Sequence, residues 1–158
     1  MRHAPPPHAA VHRALTRFAS GVVVVASRAE GGVPRSVMAS AFNSVSLEPP
    51  VLLWCVPAAA DWLDADRAYG LSVLSSRHAP VADPDRLCSE PLAWEYGELL
   101  GAPLLRDAAA WFEVVAARRI PHGDHFLYLG QVAGLGYSTA QTGLLRYSGG
   151  LARAEACG

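Results

Sequence analysis

The stretch SVMASAFNSVSLEPPVLLWCV, residues 36–56, joins a serine-rich segment to an apolar one. β-Branched and aromatic residues favour strands, and the prolines Pro49 and Pro50 mark a turn between two of them. In a single strand over residues 36–46, alternation puts the even-numbered side chains on one face: Ser36, Met38, Ser40, Phe42, Ser44 and Ser46. That face is rich in small hydroxyl side chains, whereas a strand in a core usually carries large apolar ones.

Two interpretations of the serine-rich face remain open. Small residues let a ligand approach the backbone, and hydroxyl and peptide N–H groups bind ribityl or phosphate oxygens without a basic cluster. A polyol phosphate with a flat apolar head would suit such a strand. Alternatively, the serines of an amphipathic strand simply face water.

The composition limits the class of protein. A chain of 158 residues is typical of one domain. It is 51% hydrophobic and only 17% charged, against roughly a quarter charged in an ordinary soluble domain, so we expect self-association to cover apolar surface. The net charge of −1 comes from scattered charges, which argues against nucleic acid as a partner.

The sequence predicts a cytoplasmic protein that does not enter a membrane. Its longest apolar run, residues 22–26, is too short for a span, and the N-terminal MRHAPPPHAA has no apolar core of signal-peptide length. The three cysteines, Cys55, Cys88 and Cys157, are odd in number and widely spaced, so we expect reduced thiols.

The chain divides into a leader and one predicted domain. Residues 1–8 carry three consecutive prolines and favour a flexible extended leader, and residues 9–158 form the domain. The following elements are predicted in order: a short helix from residue 9 that ends near Gly21, a strand, a hairpin loop over 28–34, the strands of the opening stretch, a short helix over 61–68, a strand over 69–74, and a long excursion with short helical turns over 75–105.

The last third of the chain contains one ambiguous segment. DAAAWFEVVAARRI, residues 107–120, slightly favours helix by local propensity but also fits a strand. HFLYLGQVAGLGY, residues 125–137, is a strand whose glycines suit bulges. Six or seven strands with few long helices predict a closed or nearly closed antiparallel barrel.

Four separated motifs resemble the flavin reductase-like, FMN-binding split-barrel family: RALTRFASGVVVVAS, the opening stretch, HGDHFLYLGQV and GLLRYSGG. The resemblance spans about residues 12–150 in the same order. It implies a mainly β fold, namely an antiparallel split β-barrel of Greek-key type with a few short helices. It also implies a homodimer, and it implies that AWFEVVAARRI, residues 110–120 of the ambiguous segment, is strand.

The resemblance further implies an NAD(P)H:flavin oxidoreductase that supplies reduced FMN or FAD to a partner monooxygenase, with NADH or NADPH as co-substrate. It places the following residues around the flavin: Met38, Ala39, Ser40, Ser44, Val45, Ser46, Cys55 and Val56. His125 matches a histidine near the nicotinamide and is the candidate catalytic residue. Hydride passes directly between the two cofactors, so the protein mainly has to stack them.

A metal site at HGDH is not expected. If the segment were one strand, His122 and Asp124 would point away from His125. Without the resemblance, His125 would be interpreted as a strand-initiating histidine bonded to backbone.

The chain departs from the family pattern after Cys55 and Val56. Family members carry a Ser/Thr- or Lys-bearing segment there that holds the flavin phosphate, whereas this chain has PAAADWLDADRA, residues 57–68. Alanine side chains donate no hydrogen bonds, and nearby aspartates repel a phosphate. Two alternatives to the reductase follow: a barrel that binds flavin or a flat polycyclic intermediate without reducing it, and an interaction subunit of a monooxygenase.

Overall fold

The computed structural model describes residues 6–63 and 67–154. Their helices are α1 (His8–Leu15), a 3-10 helix (Ser76–Val81) and α2 (Pro84–Ser89). Their strands are β1 (Ser20–Gly21), β2 (Val23–Arg28), β3 (Pro34–Met38), β4 (Ala41–Leu47), β5 (Pro50–Pro57), β6 (Ala68–Val73), β7 (Trp94–Tyr96), β8 (Pro103–Leu105), β9 (Ala110–His122), β10 (His125–Tyr137), β11 (Leu144–Tyr147) and β12 (Gly150–Arg153).

The strands form a curled, mainly antiparallel sheet of seven with two small sheets beside it. The order of the large sheet is β3-β2-β6-β9-β10-β5-β4, and each neighbouring pair is antiparallel. The small sheets are β1-β11-β12 and β7-β8. The mainly β, antiparallel fold predicted from the sequence is therefore confirmed.

The two edges of the large sheet are joined by one peptide step. β3 and β4 follow each other in the chain, yet they lie at opposite edges of the sheet. Ala39 N–H donates to the Val23 carbonyl of β2 at 2.8 Å, and Ser40 N–H donates to the Cys55 carbonyl of β5 at 2.9 Å. The chain thus passes from one edge to the other between Ala39 and Ser40. We call this connection the seam.

The prediction of one continuous strand over residues 36–46 is wrong. The seam interrupts it, and a bulge at Val45 shifts the register, because Ser44 pairs with Leu52 while Ser46 pairs with Val51. Residues paired across strands share a face. Ser44 therefore lies on the face of buried Leu52, and Ser46 lies on the opposite face. The serines do not form one row.

The core inside the curled sheet is built on three aromatic side chains. Trp54 of β5 stacks on Tyr128 of β10, with ring centroids 5.4 Å apart and planes 6° apart, and Tyr69 of β6 packs edge-on to both. All three are fully buried. The Tyr128 hydroxyl donates to the Leu63 carbonyl, which holds the segment after β5 across the end of the sheet. This packing fixes the positions of β5 and β10 relative to each other.

Both helix predictions near the ends of the sheet need correction. α1 ends at Leu15, because Ser20 and Gly21 already pair with β11, and none of its residues is buried. Within residues 61–68, the described positions 61–63 and 67 form turns and bends, Ala68 already begins β6, and positions 64–66 lie outside the described residues. Of the predicted leader, residues 1–5 also lie outside them, and His8 already belongs to α1.

Most of the other predicted elements are confirmed. The hairpin over 28–34, the strand within 69–74 and the strand at 125–137 are confirmed. Residues 110–120 are strand as the resemblance implied, since they belong to β9, which pairs with β6 and β10, whereas residues 107–109 precede the strand. The excursion over 75–105 has the expected short helices but also contains the unpredicted hairpin of β7 and β8. No helix among the described residues is long and apolar enough to cross a membrane.

Substituting Gly130 tests the aromatic core. A Cβ there would lie 2.7 Å from the Trp54 ring, so Gly130→Ala forces the stack apart and should lower the free energy of unfolding by about 1–3 kcal/mol. Gly143→Ala is the matched control, because nothing lies within 4 Å of its Cβ, and it should change stability by less than about 1 kcal/mol. Urea denaturation measures both. Equal stabilities of the two variants would contradict this account of the core.

Candidate functional site

The candidate site lies on the outer face of β5 and is centred on Cys55. Cys55 pairs with Ala41 of β4 on one side and with Leu127 of β10 on the other. Its carbonyl accepts both the Ser40 N–H and, at 3.2 Å, the Ser40 hydroxyl. Cys55 is half-buried, and burial raises the pKa of its thiol. The thiol is therefore protonated at neutral pH and is not an activated nucleophile.

His125 begins β10 and lies on the same outer face. It pairs with Pro57 at the end of β5, two residues beyond Cys55. Its Nδ1 lies 2.8 Å from the Asp124 Oδ1, and 36% of its side chain is exposed. The Asp124 carbonyl also accepts the Ala58 N–H at 2.8 Å, which ties the turn to the segment after β5. The ring is therefore held in place and is accessible to a ligand.

Asp124 is a site residue that the sequence analysis considered only as a metal ligand. Gly123 and Asp124 form the two-residue turn between β9 and β10, with Gly123 at φ +60°. Glycine at the first position of such a turn is typical of a tight hairpin, so HGDH contained the signal. The hydrogen bond with the His125 ring holds the pKa of the Asp124 carboxyl below its ordinary value.

The predicted separation of His122 from His125 is wrong. The turn makes them direct cross-strand partners, so they share a face of the sheet. Within residues 6–63 and 67–154, no group of three His, Cys, Asp or Glu side chains is arranged to hold a metal ion.

Three other predicted site residues, Ala39, Met38 and Val56, have side chains that pack against the protein. Ala39 is half-buried and packs against the core at the seam. Met38 points to the outer side of β3, where its sulfur lies 3.5 Å from an Arg146 nitrogen. The Val56 side chain is fully buried in the core, so only its backbone could contact a ligand.

Ser44, Val45 and Ser46 lie further along β4, away from His125. Ser44 pairs with Leu52, three residues from Cys55, which corresponds to roughly 10 Å along a strand. Val45 is the exposed bulge residue. The Ser46 hydroxyl accepts the Glu48 N–H at 3.2 Å and therefore already has a partner in the protein. The structure joins Ser40 to Cys55 by hydrogen bonds and places His125 two residues beyond Cys55 on the same face, and it leaves these three at a distance.

The comparisons with known proteins show the family of the chain. The family model of the flavin reductase like domain matches residues 15–155. The chain therefore belongs to the flavin reductase-like family. It is 34% identical over 134 residues to a flavin reductase (NADPH) of Lentzea aerocolonigenes, with 78% of each protein covered. It spans only 46% of the length of another relative, a probable flavin reductase of Rhizobium meliloti, at 32% identity over 82% of this chain.

Two solved structures share the fold and about a third of the sequence. The NADH:FAD oxidoreductase SgcE6 of Streptomyces globisporus, in complex with NAD and FAD fragments, superposes with a TM-score of 0.81 at 30% identity, covering 98% of both chains. BorF, the flavin reductase component of a bacterial two-component tryptophan halogenase, gives a TM-score of 0.77 at 30% identity, covering 93% of this chain and 98% of BorF.

The residues present suit the ring of a flavin better than its phosphate. β4 lies at an edge of the sheet, so the peptide groups along one of its sides have no strand partner among the described residues and can pair with the polar atoms of the ring. The segment after β5 offers little to a phosphate. The N–H groups of Ala58 and Ala60 already donate to the carbonyls of Asp124 and Pro57.

Titration of Asp124 tests how His125 is held. Because the hydrogen bond favours the carboxylate, the pKa of Asp124 should lie below the ordinary value of about 3.9, and its contribution to stability should be lost only as the pH falls through that lowered value. His125→Ala should raise the pKa of Asp124 toward the ordinary value. The pKa of Asp124 in both proteins is measured from the pH dependence of its carboxyl 13C chemical shift by NMR. The same midpoint in both proteins would contradict the contact.

Proposed function

We propose that this protein is an NAD(P)H-dependent flavin reductase that supplies reduced FMN or FAD to a partner flavin-dependent monooxygenase. The observation that carries the proposal is that Cys55 and His125 share the outer face of the sheet beside the seam, where Ser40 bonds the Cys55 carbonyl, in a chain of this family. The names of the relatives support the activity and the nicotinamide and flavin cofactors, and BorF supports a two-component system. We place the protein in the cytoplasm, where NAD(P)H is available.

The reaction requires the protein to position the two rings and does not require an acid or a nucleophile from it. When bound, a flavin and a nicotinamide would supply the hydride-transfer chemistry, and the chain would have to hold their rings against each other. The chain contributes the peptide groups of edge strand β4 and the Ser40 hydroxyl toward the ring. Since Asp124 occupies Nδ1 of His125, Nε2 is the nitrogen left for a ligand, such as a carboxamide or ribose group of the nicotinamide half.

Anaerobic mixing of the full chain with NADH or NADPH and free FMN or FAD tests the activity. A reductase bleaches the flavin absorbance. A shifted spectrum that stays oxidised would replace the proposal with a flavin carrier, and the absence of both changes would replace it with an interaction subunit. We favour the reductase over the carrier because the relatives named above are reductases.

His125→Ala tests the role assigned to the histidine. Losing one hydrogen bond to the nicotinamide half should raise the KM for NAD(P)H up to roughly tenfold, while the Kd for flavin stays nearly unchanged. Steady-state kinetics and flavin fluorescence titration measure the two effects, and a thermal melt of the same preparation shows whether the fold is intact. Normal nicotinamide kinetics with a lowered melting temperature would make His125 a structural residue.

We also propose that the protein is a homodimer. The outer face of β5, β9 and β10 carries partly exposed apolar side chains in adjacent positions: Leu53, Val115, Ile120, Leu127 and Leu129. A second copy fits this face best, because a two-fold axis lets one apolar surface cover itself. Stable interfaces of this kind bury about 1,200–2,000 Å² in total. The dimer would also enclose the candidate site, which opens on the same face.

Sedimentation equilibrium at micromolar concentration tests the dimer. The wild-type chain should sediment at twice its mass of 16.7 kDa. Leu129→Arg should shift the equilibrium to the monomer, because it buries a charge at the centre of the face. Leu15→Arg is the control, since Leu15 is 66% exposed on α1, and it should leave the dimer intact. A folded monomer for the wild-type chain would contradict the proposal.

A further inference from the structure

A cavity of about 440 Å³ lies at the end of β9 and β10 that is far from His125. Its walls come from the hairpin of β7 and β8 and from the strand ends around Trp111 and Gly134. Glu113, in its lining, precedes His122 by nine residues, which corresponds to roughly 30 Å of strand, and His122 pairs with His125. This cavity, which we call the Trp111 cavity, is therefore separate from the candidate functional site. Its volume is within the range for small-molecule sites, about 300–1,000 Å³.

The Trp111 cavity has aromatic walls. Phe112 packs against the core inside the sheet, so alternation turns Trp111 to the outer side. A Cβ on Gly136, the cross-strand partner of Trp111, would lie 2.6 Å from the indole ring, so the ring lies directly against the Gly136 backbone. Tyr96 forms another wall, and its ring already has a cation against it, because the guanidinium carbon of Arg28 lies 4.4 Å from the ring centroid.

Glu113 places a buried negative charge in the lining. It is 1% exposed, its Oε1 accepts the N–H groups of Leu100 and Ala102 at 2.8 and 3.3 Å, and its Oε2 accepts the N–H of Leu99 at 3.1 Å. A carboxylate can accept about four hydrogen bonds, so Oε2 can accept one more. Within residues 6–63 and 67–154, no basic side chain forms an ion pair with Glu113. Peptide groups alone hold this charge.

Two further carboxylates make the lining negative. They are Glu95 and Glu98, and none of the described residues that line the cavity is Lys, Arg or His. Glu95 Oε1 lies 2.9 Å from the Arg106 Nε, but both side chains are more than half exposed, so this ion pair is weak. Glu98 is exposed. Leu99, also in the lining, is 66% exposed, so the cavity opens to solvent.

We propose that the Trp111 cavity binds a small organic cation, namely an ammonium group carried on an aromatic or other apolar body. The ammonium contacts Glu98 and the Oε2 of Glu113, and the apolar body packs against Trp111 and Leu104. The attraction to Glu113 is strong because that carboxylate is shielded from water, and the faces of Trp and Tyr rings also attract cations. The same groups repel an anion. The inference goes beyond flavin reduction, since the cavity shares no residue with the site proposed for it.

Isothermal titration calorimetry of the full chain tests the charge preference with three probes: phenethylammonium, 2-phenylethanol and phenylacetate. All three carry a phenyl ring, and they differ in charge. Phenethylammonium should bind about tenfold more tightly than the neutral alcohol, and phenylacetate should bind most weakly. Equal dissociation constants for the ammonium and the alcohol would overturn the proposal, as would the absence of measurable ammonium binding.

Substitutions in the lining test the location. Glu98→Gln removes one charge at nearly constant volume and should weaken phenethylammonium binding about threefold or more, while 2-phenylethanol binds as before. Trp111→Leu removes a wall that both probes contact and should weaken both by about tenfold. Glu30→Gln is the matched control, because Glu30 is exposed in the loop between β2 and β3 and does not line this cavity.

Thermal melts check that the variants are folded. Glu98 is exposed, so its substitution keeps the test valid even where Trp111→Leu does not fold. Phenethylammonium binding that is the same in the wild type, Glu98→Gln and folded Trp111→Leu would place the ligand elsewhere and overturn the proposal.

The test also separates this inference from the proposed function. Flavin reduction by the wild type without phenethylammonium binding overturns the cation site alone. Binding that depends on Glu98, without any flavin reduction, supports the cation site and overturns only the reductase.

Discussion

The fold depends on the two hydrogen bonds at the seam. Ala39 donates to β2 and Ser40 donates to β5, so consecutive peptides close the gap between the opposite edges of a seven-stranded sheet. Small side chains are needed there because both edges approach the same backbone. The physical reason for at least part of the serine-rich composition is therefore closure. The same closure places Ser40 beside Cys55, where its N–H and its hydroxyl both bond the Cys55 carbonyl, and Cys55 shares its face with His125.

The aromatic core determines the outer face as well as the inner one. Trp54 and Tyr128 stack across β5 and β10, and alternation along each strand then turns Cys55 and Leu127 outward. A shift of one residue in this register would move every outward side chain inside. Gly130 permits the stack because it leaves room for the Trp54 ring. The geometry of the candidate site is thus a consequence of packing that no ligand touches.

The sequence predicted the strands well and their connections poorly. Alternating and β-branched residues signal a strand wherever they occur, so β2, β5 and β10 were predictable from local pattern. The seam was not, because its partners, Val23 and Cys55, are distant in the chain. The segment of β9 favoured helix locally, and only pairing with β6 and β10 makes it a strand. Of the candidate site, the positions of Ser40, Cys55 and His125 followed from the resemblance, whereas the contact of Asp124 with His125 required the turn geometry.

The distribution of charge suits a protein that binds a cofactor and releases it again. The groups that we propose face the ligand are peptides, a hydroxyl and an imidazole, and each hydrogen bond from such groups to a polar ligand is worth about 0.5–1.5 kcal/mol. The segment after β5, over residues 57–63, adds no cationic group to these contacts. Contacts of this size would hold a ring in position and still let it leave, and position is the main requirement for hydride transfer between two stacked rings.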